Sequence, residues 1–244
     1  MVRMLVLRPD PDGMQSAEHL RALDIDATLL PLFRRTLLET SLPEPNGFAA
    51  LALTSANALR ALAERGVIER FCNIKTFTVG DKTAAEARAL GFSDVSSAGG
   101  TLANLVEHMA HHKLEGPVFY PAGKHLSGDL ARSLAPYGVM VVTARLYDMV
   151  AIEALPDAVI AALEAGEIAA ALFYSRRAAE TFASLTRDRL SRATRTQLGM
   201  LCLSEGVAGP LVEARFVRVN LADYPSEDAM MALALSFARD QNAP

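Results

Sequence analysis

Cysteine is scarce in this 244-residue chain: Cys72 and Cys202 are the only two, far apart and each inside an apolar stretch. No disulfide framework can be built from them, and they read as buried thiols of a reducing compartment. No apolar run approaches the roughly 20 residues needed to cross a bilayer. The opening MVRMLVLRPDPDG meets charge and proline after a handful of apolar residues, too soon for a signal-peptide core. Positive charge is not in excess, since 24 Lys+Arg stand against 28 Asp+Glu for a formal net charge of −4. Such a chain is a poor polyanion binder, which argues against nucleic acid or an anionic membrane as the main partner. Nucleotide fingerprints are missing: there is no G-x-G-x-x-G, and the pair Gly123-Lys124 lacks both the upstream glycine and the following hydroxyl of a P-loop. Ser55, Ser175 and Ser204 lie outside any G-x-S-x-G elbow, which argues against a hydrolase nucleophile.

What is present is an ordinary globular composition, 51% hydrophobic and 21% charged, long enough for one large domain or two of about 120 residues. A cytoplasmic, metal-free protein is expected. Short apolar runs, among them MLVLR (4–8), ATLLPLF (27–33), ALALTS (50–55), VFYPAG (118–123), VMVVTARLY (139–147), AALFYS (170–175) and MLCLS (200–204), alternate with Ala/Leu-rich helical patterns such as NALRALAERG (57–66), TLANLVEHMAHH (101–112) and EDAMMALALSFARD (227–240). Continuous apolar strands imply burial on both faces, hence α/β with a parallel sheet and right-handed crossovers. The chain also repeats itself weakly. Residues 4–33 resemble 118–147, and 48–112 resemble 168–240, so each pair of units would make one five-stranded domain. The proline-bearing stretches 34–47 and 147–156 are the candidate connections.

In a parallel sheet, ligands bind beyond the carboxyl ends of the strands. Here those ends carry small or hydroxyl residues followed by helix starts: Thr54-Ser55, Gly80, the run from Ser96 to Thr101 with Gly100, Gly123, Ser175, Ser204 and Pro225-Ser226. Helix starts present unpaired N–H groups and partial positive charge. Each hydroxyl taken alone is accounted for as a helix cap; the set suggests a large polyanionic small molecule. His108, His111 and His112 have one-face helical spacing, but no carboxylate or cysteine obviously completes a metal site, so a solvated helix end is the better reading. The arginine run TRDRLSRATRT (186–196) reads as a solvated helix or loop.

Taken in order, LVLRP, ALTSANAL, FTVGDKTAAEARALGF, SSAGGTLANL, VTARLYDMVA, ALFYS, CLSEGVA and YPSEDAMMAL make the chain resemble the uroporphyrinogen-III synthase family over nearly its whole length. The resemblance implies two similar parallel-sheet α/β lobes (HemD-like, flavodoxin-like) joined by a two-stranded β-ladder linker, with the active cleft between the lobes. The first lobe is then 1–33 plus 153–244 and the second 41–146, with linkers at 34–40 and 147–152. It implies cyclisation of hydroxymethylbilane, with inversion of ring D, to uroporphyrinogen III and water, and no cofactor. Tyr147 becomes the catalytic candidate, its phenol a hydrogen-bond donor to the departing hydroxyl. Thr54, Ser55 and Thr83 match ligand-facing positions of the second lobe, and Ser175 and Ser226 those of the first. Lys124 is a candidate partner of a substrate carboxylate, and Gly100, Thr101, Gly123 and Ser204 complete the binding set. The chain departs from the family at Gly206 and Val207, where many relatives carry hydroxyl residues. The expected partner is the tetrapyrrole alone, with the chain a monomer and at most a transient contact with the preceding pathway enzyme. The alternative reading is a two-lobed binding or sensor protein for a polyanion, without chemistry.

Overall fold

The computed structural model describes residues 1–126 and 128–242. The chain divides into two compact units, 1–34 with 150–244 and 35–149. Its elements run β1 (Arg3–Val6), α1 (Asp12–Ala22), β2 (Asp26–Leu29), β3 (Phe33–Leu37), β4 (Ala50–Leu53), α2 (Ala56–Glu64), β5 (Thr76–Thr78), α3 (Asp81–Ala89), β6 (Val95–Ser97), α4 (Leu102–Ala110), β7 (Val118–Gly123), α5 (Leu130–Leu134) and β8 (Val141–Ala151). There follow α6 (Asp157–Glu164), β9 (Ala170–Phe173), α7 (Arg176–Thr186), α8 (Arg192–Gln197), β10 (Gly199–Cys202), α9 (Glu205–Glu213), β11 (Arg218–Leu221) and α10 (Glu227–Asn242).

In the first unit the sheet order is β11-β10-β9-β1-β2, and every pair is parallel. Parallel strands need covered faces, and alternate residues supply both. Met4, Val6, Leu172 and Leu201 pack with Leu20 of α1 and with Met230 and Phe237 of α10. On β9, Phe173 meets Phe182 of α7 edge-on at 5.3 Å, and Phe182 lies 6.0 Å from Phe216. Each of these buried side chains contributes about 1.5–3 kcal/mol.

The second sheet has the order β3-β8-β7-β4-β5-β6. One face packs Leu51, Leu53 and Phe119 against Leu59, Phe71 and Ala87, and the other packs Ala50, Ala52, Val118 and Tyr120 against Leu105, Met109 and Leu130. The order β6-β5-β4-β7-β8 within it repeats β11-β10-β9-β1-β2. The register matches too: Ala50 lies opposite Val118 as Ala170 lies opposite Met4. The weak sequence repeat is therefore a repeat of topology, and Thr54-Ser55, just after β4, occupy the place of Tyr174-Ser175, just after β9.

Two local readings change, and one expected helix carries an interior proline. The run 27–33 forms two strands, β2 and β3, because Pro31 has no N–H with which to carry a ladder across the break. β8 continues four residues beyond Tyr147, to Ala151. The helix start expected after Ser204 is α9, with Pro210 inside it. An interior proline costs about 3 kcal/mol or more, offset here by burial of Val207, Ala208 and Leu211.

Candidate functional site

At the carboxyl ends of β4 and β7 in the second unit, beside Tyr147 within β8, the structure gathers Thr54, Ser55, Gly123 and Lys124. The β7–β8 register slips between Ala122 and Gly123, so that Ala122 pairs with Arg145 and Gly123 with Tyr147. Such an irregularity re-aims the side chain that follows it. The Tyr147 ring fills the space over Gly123: a Cβ there would stand 2.9 Å from Cε2, 3.0 Å from Cζ and 3.2 Å from the phenol oxygen. Tyr147 is 7% exposed. Burial pushes its pKa above the ordinary phenol value; hydrogen bonding with Ser55 and the guanidiniums of Arg35 and Arg60 act the other way, and Tyr120 adds to the rise. Both guanidiniums are offset by carboxylates. Arg60 donates to both oxygens of Glu86 at 2.7 and 2.8 Å, and Arg35 lies 2.8 Å from Glu64. Tyr147 is thus a protonated phenol at neutral pH, able to donate.

The remaining expected site residues fall into place as follows. Thr54 Oγ1 lies 2.9 Å from the Tyr120 hydroxyl. Ser55 caps α2, accepting the Asn57 N–H at 3.2 Å. The Lys124 ammonium donates to Asp148 at 3.1 Å, so its charge already has a carboxylate partner within the chain. Thr83 is nearly buried in the first turn of α3. Thr101 and Asn104 form a reciprocal cap at the start of α4, and a Cβ on Gly100 would stand 2.8 Å from the Asn104 oxygen. In the first unit, Ser175 accepts the Ala178 N–H at 3.2 Å and Ser226 the Ala229 N–H at 3.1 Å. Ser204 precedes α9 without a side-chain cap bond and is exposed, as is Gly206, while Val207 is buried. Ser55, Thr101, Ser175 and Ser226 thus each spend one lone pair on a helix N–H, and Thr101 also donates its O–H to Asn104 at 2.6 Å.

The histidine trio is engaged locally. His108 Nε2 lies 2.6 Å from the Ser96 hydroxyl, and the His111 and His112 rings lie 2.7 and 2.8 Å from the Glu107 and His108 carbonyl oxygens.

Sequence reasoning passed over two features. One is Tyr120, whose phenol is 2% exposed and pushed upward, chiefly by burial, against the hydrogen bond with Thr54 and the charge of Arg145. The other is a charged cluster on the first rim. Arg8 donates to Glu227 at 2.5 Å and to Ser16 at 3.1 Å; Ser16 and Tyr174 donate to the same Glu227 carboxylate at 2.7 and 3.2 Å. For Arg8 and Tyr174 the available signal was a polar residue just past an apolar strand, as in LVLRP and ALFYS; Tyr120 lies inside β7 and has no such signal.

Comparison with known proteins gives the chain its family. Among curated proteins, none matches it significantly. Among solved structures, it is similar to uroporphyrinogen-III synthetase from Helicobacter pylori, at 21% identity and a TM-score of 0.67, over 96% of this chain and 98% of that one. It is also similar to a mutant uroporphyrinogen III synthase from the extremely thermophilic bacterium Thermus thermophilus, at 18% identity and a TM-score of 0.57, over 99% of this chain and 100% of the other. These likenesses carry the two-lobed α/β fold. The family model for uroporphyrinogen-III synthase HemD matches residues 15–232, so the chain belongs to that family of cyclising lyases of tetrapyrrole biosynthesis.

Proposed function

We propose that the rim around Tyr147 is where this chain performs the family reaction. The single observation that carries the reading is a buried, protonated phenol packed against a glycine, beside a capping serine, at the carboxyl end of parallel strands. In the linear tetrapyrrole the ring A nitrogen lone pair expels the terminal hydroxyl, which leaves as water and yields an azafulvene. Tyr147 donates a hydrogen bond to that departing oxygen. The substituted carbon of ring D attacks, the spiro intermediate fragments, and closure occurs with ring D inverted. Most reactivity is the substrate's own, so the protein acts by positioning and by stabilising charge. In the second unit the helix starts at Ser55, Gly80 and Thr101 offer N–H groups and dipoles that favour substrate carboxylates, and in the first unit those at Ser175, Ser204 and Ser226 offer the same. Thr54, Thr83, Gly100 and Gly123 shape the approach to those donors. Lys124, already paired with Asp148, supplies at most a shared cation. We place the chain in the cytoplasm as a monomer that meets the enzyme supplying its substrate only transiently; the two free thiols and the net charge of −4 support this.

Freshly prepared hydroxymethylbilane, with product isomers resolved, tests the reading. The inverted isomer should form well above the rate without protein; only the symmetric isomer at that rate would overturn it. Tyr147→Phe should lower kcat by about tenfold or more, as loss of a preorganised donor does, before product binding weakens. Unchanged turnover would remove Tyr147 from the mechanism.

A further inference from the structure

The charged cluster of the first unit joins segments remote in sequence: Arg8 just after β1, Ser16 on α1, Tyr174 just after β9, and Glu227 opening α10. The Arg8 guanidinium also lies 4.0 Å over the Tyr174 ring. Asp12, 3.8 Å from Arg8, and the His19 ring, 3.9 Å from Glu227, border the cluster. Ser16 is fully buried, so its hydroxyl has only the cluster to satisfy it.

The fold does not require this arrangement. The second unit has the same strand order and register, and there the places of Arg8 and Tyr174 are taken by Ala122 and Thr54. The place of Glu227, first residue after a capping hydroxyl, is taken by Leu102. Nor is a largely desolvated ion pair an efficient source of stability, since apolar replacements of both partners are often neutral or better. What the cluster does fix is geometry. Tyr174 precedes Ser175, Glu227 follows Ser226, and both side chains are pinned to Arg8 and Ser16.

We propose that Arg8, Ser16, Tyr174 and Glu227 are positioning residues that hold the helix starts at Ser175 and Ser226 in register for substrate carboxylates. The assignment rests on the binding role proposed above for those two serines. Glu227 also neutralises Arg8, so Arg8 adds no uncompensated cation beside Ser175 and Ser226.

The test uses the full chain with Glu227→Gln, Tyr174→Phe and the double variant Arg8→Met/Glu227→Met. Steady-state turnover of hydroxymethylbilane is measured beside thermal unfolding. Binding of the octacarboxylate uroporphyrin III is read by fluorescence. The expected result is KM raised by about tenfold with kcat within about twofold, the signature of lost binding without lost chemistry, and porphyrin binding weakened by a similar factor. The double variant, whose apolar side chains restore packing, should regain stability without regaining KM. Wild-type KM and porphyrin affinity in the variants that stay folded would overturn the proposal, as would recovery of both in the double variant. So would a fall in kcat at constant KM. Tyr174→Phe deletes one hydroxyl and keeps the ring, so it remains informative if the charge variants fail to fold. The porphyrin readout needs no turnover, so a parent chain that made no inverted isomer would refute the function and leave this test standing.

Discussion

Gly123→Ala isolates the contact on which the proposed site depends. Gly123 does not adopt a left-handed backbone conformation, so alanine is sterically allowed there as far as the main chain is concerned. Replacing glycine at such a position normally stabilises by about 0.4–1 kcal/mol through the unfolded chain. Against that gain stands a Cβ placed 2.9 Å from Tyr147 Cε2 and 3.0 Å from Cζ, well inside carbon–carbon contact at about 3.5–4.0 Å. The ring is 7% exposed and belongs to the cluster with Leu53, Leu59 and Phe119, so it cannot simply swing into solvent. Overpacking of this kind costs about 1–3 kcal/mol, which exceeds the entropic gain. The net expectation is a loss of about 1–2 kcal/mol, or a fall of about 2–8 °C in Tm for a chain of this size. Activity should suffer more than stability, since displacing a positioned group by about 1 Å can cost about a hundredfold. Chemical denaturation gives the first quantity and kcat the second. The double variant Gly123→Ala/Tyr147→Leu should recover stability and leave turnover low. A Gly123→Ala protein as stable and as active as its parent would refute the account of Tyr147 as a group wedged in place by its neighbour.

Two further outcomes follow from the same rims. Thr54→Val removes the partner of the buried Tyr120 hydroxyl at 2.9 Å; an orphaned buried donor costs about 1–3 kcal/mol, measurable by urea unfolding, and an unchanged midpoint would show that Tyr120 finds another acceptor. Tyr120, Tyr147 and Tyr174 all have pKa values raised above 10.0, mainly by burial. The folded chain therefore keeps protons that the unfolded chain releases, so their contribution is intact below pH 10.0 and is lost as pH climbs through the raised values. Unfolding free energy measured across that range should fall steeply, and a flat profile would contradict the burial of these phenols.

The sheets were legible because burial on both faces writes itself as an unbroken apolar run, as in Leu51–Leu53 and Ala170–Phe173. Strand order was legible only through resemblance, since periodicity says nothing about which run lies beside which. The break at Pro31 was obscured by apolar neighbours on both sides, whereas the start of α9 was marked by Ser204 even though Pro210 argues locally against the helix that tertiary burial imposes. Tyr147 could be nominated from its motif, but its dependence on Gly123 arises from a register slip between β7 and β8 that no local pattern records. The cluster of Arg8 and Glu227 was illegible for a plainer reason. Its members are separated by 219 positions, and a charge pair leaves no spacing signal at that range.

The placement of β1 between β2 and β9 has a consequence for biosynthesis. β2 and α1 follow the strand directly, yet its other partner β9 and the covering helix α10 lie beyond the whole of the second unit along the chain. Residues 35–149 can condense in the meantime, whereas Met4, Leu5 and Val6, flanked by β2 and α1 alone, stay only half packed until β9 and α10 have been made. Loop-closure entropy makes that late joining the slow step of maturation, and the waiting segment is where a chaperone would be engaged or aggregation would begin.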